Sequence, residues 1–591
     1  MPVFPTVDQQ YTQQLVTDTF AGYDHQLKIP DGEWYDTKNL SSDHAPLMAS
    51  RKPRGSTNLS ATSLLEKDAL AYVSENGTLY YNFEPTPVVG LSSGEKQMVG
   101  MGAYIVIFPD KVYFNTQDQT DYGSLEAHYT PSSASYQMCR YDGTAVSATA
   151  QSSAPLNPTN GQYWIDTSGD THILKQWSAS QDEWVSIETV YVKITFNTLG
   201  SVPAIFKEYD GVTISGSTVD VNGDKVIYAV GGRAVSTGDP GEADWIMVTG
   251  LLDTIPSDPD TAVHIDRTVP ALDYVCECQN RLWGCYYGLS NGETVNEICC
   301  SALGDFKNWR QYMGLSTDSW TGSVGSDGQW TGAVNYLGCP TFFKENRIHR
   351  VTVSAEGAHR IDETVCRGVQ KGSAKSLVVV NETLYYKSRS DVCAYQGGFP
   401  TGVSGAFGTV MYHDAAAGAI NSKYYLSMLD EAGAAHLFVY DIARGIWLRE
   451  DDLRVTQFAR VDTELFAVSS NTLCTLLGSL PVGGAEAEEN VAWEAVTGIQ
   501  YYQYPENKRA TRYNIRMKLA QGATLTVYVM YNSSGVWDEQ GTVSAESEQI
   551  DSFLFPVRTH RCDHLQLKLA GSGDVRIYSI SKILEVGSDY R

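Results

Sequence analysis

The sequence predicts an all-β protein, a six- or seven-bladed β-propeller with an inserted small β-domain and a C-terminal antiparallel β-sandwich. Three observations predict it. First, the 591 residues include 52 Gly and 36 Tyr, are 42% hydrophobic and 11% aromatic, and show no long helical periodicity beyond the first twenty or so positions. Second, a turn centred on Asn or Asp and followed by an aliphatic residue recurs six times. The copies are Asn76-Gly77-Thr78-Leu79-Tyr80, Asp110-Lys111-Val112-Tyr113, Asn280-Arg281-Leu282-Trp283, Asn346-Arg347-Ile348-His349, Asn381-Glu382-Thr383-Leu384-Tyr385 and Asn471-Thr472-Leu473-Cys474. Each follows a short β-prone run such as Ala71-Tyr72-Val73, so each reads as a tight hairpin. Two of the spacings are about 35 residues, close to one small sheet per repeat. Third, the last hundred residues alternate apolar and polar side chains, as in Leu525-Thr526-Val527-Tyr528-Val529, the mark of a half-buried antiparallel sheet.

In chain order, residues 1–60 predict an extended arm dense in turn residues, opening with a short helix or strand through Tyr11 to Phe20. Within it Arg51, Lys52 and Arg54 form the tight basic cluster of an acidic chain. They are candidates for inter-subunit contacts with carboxylates, set against the reading of a solvated loop. Residues 61–118 and 263–480 predict the propeller, whose repeat is interrupted by an inserted β-rich module at 119–262. The insertion opens with a three-stranded meander that carries Trp164, Trp177 and Trp184. These rings are candidates for glycan stacking, because flat aromatic faces cover apolar sugar faces. The competing reading makes them the core of a small domain. A small, acidic stretch at 481–490 predicts a linker, and 491–591 predicts the sandwich.

The charge of −26, from 69 acidic and 43 basic residues, argues against a surface that grips nucleic acid. It leaves room for a wall that a polyanion slides past. Met1-Pro2-Val3-Phe4-Pro5 shows neither a basic leader nor an apolar core, and no apolar run is long enough to span a bilayer. The expectation is a product made in a cytoplasm, without membrane association. Eleven Cys lie in strand-like runs and are expected to be reduced and buried. No nucleophile elbow, phosphate loop, dinucleotide fingerprint or paired-His motif occurs. The Cys276/Cys278 spacing does not fit a zinc knuckle, and Asp220-Val221-Asn222-Gly223-Asp224 lacks the downstream acid of a calcium loop. The sequence therefore predicts no enzyme: no catalytic residues, no cofactor and no metal.

Three passages carry a resemblance. They are Pro30-Asp31-Gly32-Glu33-Trp34 with Asn39-Leu40-Ser41-Ser42-Asp43; Phe342-Phe343-Lys344-Glu345-Asn346-Arg347 with Leu384-Tyr385-Tyr386 to Tyr395-Gln396-Gly397-Gly398; and Arg561-Cys562-Asp563-His564 with Gly571-Ser572-Gly573, closing on Gly587-Ser588-Asp589. Together they resemble the β-propeller tail nozzle or tail-hub proteins of tailed bacteriophages, including packaged-DNA stabilisation proteins. The resemblance implies a structural virion protein on the tail axis, a homo-oligomeric ring of about six copies assembled in the host bacterial cytoplasm. Its implied partners are the portal, the adaptor and other tail proteins, with double-stranded DNA conducted or retained without specific binding. The alternative is a receptor- or glycan-binding tail component, or a glycan-cleaving one.

Overall fold

The computed structural model describes residues 11–290, 292–354, 358–501, 507–558 and 560–586. The opening residues 1–10 and the closing Gly587-Ser588-Asp589 lie outside the described residues. Seven small sheets, one from each of 63–85, 97–124, 274–323, 332–365, 378–402, 412–451 and 457–475, are the blades, numbered 1 to 7 in that order. Their innermost strands touch in succession. Ser63–Lys67 meets Gln97–Met101, then come Tyr274–Cys278 and Gly332–Tyr336, and the 3-10 turn Ala374–Ser376 bridges to Tyr412–Ile420. Gln457–Val461 then returns to Ser63–Lys67. Among the described residues these contacts close the ring with seven blade sheets.

Its core is a ring of interfaces. Each pair of neighbouring blades encloses its own apolar cluster. Ala71, Val73 and Leu79 of blade 1 meet Ile105, Ile107 and Phe114 of blade 2, and Tyr336, Phe343 and Ile348 of blade 4 meet Leu384, Tyr386 and Tyr395 of blade 5. The same holds around the circle to Leu70 and Tyr72 of blade 1 against Phe466, Val468 and Leu473 of blade 7. Burying one such side chain is worth about 1.5–3 kcal/mol, so each blade draws much of its stability from the neighbours on either side.

The six Asn/Asp turns are real hairpins, but they occupy two different places. Those at 280 and 381 join the first strand of a blade to the second, and those at 76, 110, 346 and 471 join the second to the third. The spacing from 346 to 381 is thus not one repeat. Gln279-Asn280, Asn381-Glu382 and Ser470-Asn471 each place two residues at positive φ, 53° and 60°, 47° and 64°, 48° and 57°. That backbone matches the twist of the flanking strands. At Asp110-Lys111 it is Lys111 that adopts φ 55°.

The expected arm is not free. Gly55–Ser60 pairs antiparallel with Thr472–Thr475 as the fourth strand of blade 7, so the ring is closed by joining the beginning of the chain to the end of the propeller. Gly55 is required by close approach: a Cβ there would stand 2.5 Å from Thr475 Oγ1 and 2.7 Å from the Ser479 carbonyl. The acidic stretch is pinned as well, since Glu486–Ala487 pairs on the other side of the same strand. Upstream, Tyr11–Thr17 is a strand along Val575–Val586, and Phe20, Trp34, Leu40 and Met48 enter the sandwich core beside Trp493, Tyr513, Leu525 and Ile577. One continuous ten-stranded sheet runs from blade 6 through Gly22–Tyr23 and Glu33–Lys38 into the sandwich. Arm and C-terminal segment therefore form one domain, fused rigidly to the propeller.

Arg51 and Arg54 hold this junction. Arg54 donates to Glu450 at 2.6 Å and Asp451 at 2.5 Å, at the end of the outer strand of blade 6. Arg51, itself 7% exposed, donates to Glu488 at 2.7 Å and to Asn39 at 2.8 Å. The expected inter-subunit role is corrected for both: their carboxylate partners lie in the same chain, while Lys52 alone of the three is exposed.

The insertion has its own core. Two four-stranded sheets enclose Tyr136, Val192, Ile194, Phe196, Val212, Ile214, Ile246, Val248 and Ile265. The meander has four strands, not three, because Ala148–Gln151 adds in parallel to Tyr163–Asp166. The module is docked on blade 3. Asn308 accepts from the Gly211 N–H at 3.0 Å and donates to the Tyr209 carbonyl at 2.8 Å, and Lys207 pairs with Asp305 at 2.8 Å.

A buried polar joint fastens blades 3 and 4. Lys344, fully enclosed, lies 4.6 Å from the Trp330 ring and donates to the Ser326 carbonyl at 2.5 Å and to Asn296 at 3.3 Å. His349 shares Ser326 through Nε2 at 2.9 Å and lies 3.3 Å from Glu363.

Two outcomes follow from these joints. Removing one partner of a buried ion pair costs about 3–5 kcal/mol, so Arg54→Ala is expected to lower denaturant stability by that order while Lys52→Ala leaves it unchanged; equal effects would contradict the closure role. Burial pushes the His349 pKa down to about 4, with Lys344 and Arg347 acting in the same direction and Glu363 opposing. A depressed histidine contributes stability that is present above its unfolded value near 6.5 and is lost as pH falls toward 4. The melting temperature of the wild type should therefore drop more between pH 7 and 5 than that of His349→Gln, and parallel curves would refute the assignment.

Candidate functional site

The three Trp singled out in the sequence come together, but not as a core. Alternation along the meander turns Ile165 and Leu174 toward the core of the insertion, and cross-strand register places Trp164 opposite Lys175 and Trp177 opposite Trp184 on the other face. Trp184 stands edge-on to Trp164, ring centroids 5.3 Å apart, and to Trp177, 5.4 Å apart. Trp164 is 5% exposed and forms the floor, which removes it from the ligand-stacking set; Trp177 and Trp184 are half-buried and face outward. The Lys175 ammonium lies 5.2 Å from the Trp164 ring centroid and 2.8 Å from the Asp166 carboxylate. Hydrogen bonds from Lys175, then Ser168, hold the Asp166 pKa down to about 2. An aromatic platform is thus flanked by a fixed donor and a fixed acceptor. That set can stack a pyranose ring and bind its hydroxyls.

A second feature left no trace in the sequence. The connectors that lead into the inner strands converge on the propeller axis, around a cleft of about 410 Å³ lined by Glu95, Gln97, Tyr274, Ala333, Gly372 and Lys375. Glu95, before blade 2, takes the Lys375 ammonium from before blade 5 and the Gln457 amide from blade 7. Gln457 in turn accepts from the Leu64 N–H at 2.6 Å. Gln97 is held by the Asp273 carbonyl at 2.7 Å. Arg454 donates to the Asp414 carbonyl at 2.7 Å, and burial lowers its pKa against the influence of Asp414 and Glu95. Gly372 has φ +82°, a backbone that a side chain would strain, and it packs against the Asp414 carboxylate of blade 6. Side chains from separate blades thus span the axis. They offer charged and amide groups to a polar ligand, and no motif could have announced residues so far apart in the chain.

All eleven cysteines are free thiols, eight of them buried; burial pushes the Cys276 and Cys285 thiols up, which leaves them unreactive.

No family model and no curated protein matches the sequence. Solved structures similar to it include U3-55K, at 8% identity and TM-score 0.25, over 72% of this chain and 98% of that one. Others are apo AztD from Citrobacter koseri, at 8% and 0.26 over 87% and 99%, and an exo-beta-1,3-galactanase from Phanerochaete chrysosporium, at 8% and 0.18 over 75% and 97%. At these scores the likeness carries no ligand or reaction over to this chain. Glycoside hydrolases stand among these structures, against the expectation of a chain without enzymatic activity, but the likeness assigns no reaction to this chain. Glycoside cleavage by paired carboxylates needs two groups at a set separation, not a linear motif, so the missing motifs never excluded it.

Proposed function

We propose that this chain is a glycan-recognising component of a bacteriophage tail, with Trp177 and Trp184 as the stacking surface and Lys175 and Asp166 as the hydrogen-bonding flank. The observation that carries the reading is the placement of these rings on the outer face of a sheet whose other face already supplies the core of the insertion. The axial cleft, polar and open to solvent, is where a bound chain would meet the propeller's carboxylates. A glycan array that includes bacterial surface polysaccharides is expected to give a signal that Trp177→Ala/Trp184→Ala abolishes, with a reducing-end assay on each positive glycan reporting cleavage. An array silent for the folded wild type would overturn the reading.

A ring on the tail axis, with portal, adaptor and other tail proteins as partners, is the second reading, and one surface favours it. Exposed Arg512 and Arg516 lie on the outer side of Lys508–Leu519, with Arg576 opposite Lys518 in the neighbouring strand, beside Ile550 and Leu554, 62% and 56% exposed, on the strand Gln549–Pro556. In a chain of charge −26, this basic and apolar face complements the acidic surface of another copy. DNA passing such a ring would use the space between copies, because Glu95 and Lys375 meet across the propeller axis. Light scattering is expected to show an oligomer near six copies that Arg512→Glu/Arg516→Glu dissociates; a monomer at every salt concentration would sink this reading.

A further inference from the structure

The meander's arrangement occurs a second time, far away in the chain. On the outer face of the C-terminal sandwich, Tyr528 of Thr524–Tyr531 lies directly across from Lys568 of Leu565–Ser572. Trp537, on the loop that follows, folds back over the same lysine. The Lys568 ammonium stands 5.0 Å from the Tyr528 ring centroid and 5.1 Å from that of Trp537, and Glu494 lies 3.9 Å away. Around them the face is lined with hydroxyls, Thr524 with Ser572 at 3.0 Å and Thr526 with Thr542 at 2.9 Å. Neither aromatic ring belongs to the sandwich core, which is filled from the opposite face by Leu525, Val527 and Val529. Trp537 is half-buried on a loop whose neighbour Val536 is 63% exposed.

We propose that Tyr528, Trp537, Lys568 and Glu494 form a second glycan platform, for chains of β-linked, all-equatorial hexopyranoses. Such sugars present flat C–H faces, which cover the outward side of a half-buried indole, and a rim of equatorial hydroxyls. Lys568 donates to that rim and Glu494 accepts from it, the same division of labour as Lys175 and Asp166 beside Trp164. Support of Lys568 against two rings explains the position of the ammonium. It does not explain why an indole is carried on an exposed loop and laid over a hydroxyl-lined sheet, outside any core.

This inference rests on the glycan reading of the protein, and one experiment separates the two. Cellohexaose is titrated calorimetrically into the full chain, into Trp537→Ala, into Trp177→Ala/Trp184→Ala and into the triple variant, with melting temperatures recorded for each. The expected result is that Trp177→Ala/Trp184→Ala keeps one binding event, that adding Trp537→Ala weakens it about tenfold or more, a loss of at least 1.4 kcal/mol, and that Trp537→Phe restores most of it. Loss of all binding in Trp177→Ala/Trp184→Ala, with Trp537→Ala binding as the wild type does, overturns the second platform and leaves the first standing. Binding lost only in Trp537→Ala keeps this platform, and the glycan array judges the meander site. A folded wild type that binds no cellohexaose overturns the platform proposed here, and the glycan array then judges the meander site separately.

Discussion

A propeller is a circle of sheets, each relying on two neighbours, and the circle has one seam. Here the seam is the pairing of Gly55–Ser60 with Thr472–Thr475, and everything else in the molecule depends on it. Without that strand, blade 7 has an unpaired outer edge, and the acidic stretch that leads to the sandwich has nothing to pair with. The closure is chemical as well as geometric. Arg54 reaches blade 6 and Arg51 reaches Glu488, so one short basic segment ties together arm, propeller and the approach to the C-terminal domain. Charged groups this deeply enclosed are tolerable only because each guanidinium meets carboxylates in hydrogen-bonding geometry.

The seam also explains where functional surfaces can lie. Because arm, blade 6 and sandwich share one ten-stranded sheet, and the insertion is clamped to blade 3 through Asn308 and the Lys207–Asp305 pair, the outward faces of both appended modules are held rigidly relative to the propeller axis. Rigid platforms bind with less ordering cost than mobile ones. The aromatic clusters at Trp177/Trp184 and at Tyr528/Trp537 are outward faces of this kind, each on a sheet whose inner face is already committed to a core.

Much of the architecture could be read from local chemistry. The hairpin turns were legible because a pair of left-handed residues favours Asn at one of its positions, as at Asn280 and Asn381. The sandwich strands were legible because a half-buried strand must alternate. The platform residues Trp177 and Trp184 were visible as aromatic positions, though whether they faced a core or solvent was not, since that depends on which face of the meander the rest of the insertion covers. Arg51 and Arg54 were visible as a basic cluster and misassigned to a neighbouring subunit: their partners Glu450, Asp451 and Glu488 lie roughly 400 residues away, where no spacing rule reaches.

What the sequence by itself determined is the all-β class, the repeat, the interruption by a separate module and the alternating terminal domain, because each follows from backbone preferences and periodicity within a few residues. Only the tertiary structure decided the blade number, the closing strand, the convergence of Glu95, Lys375 and Gln457 on the axis, and the outward turn of the tryptophans. Those features are contacts between residues distant in the chain, set by how sheets pack around a common axis, and local preference carries no information about them.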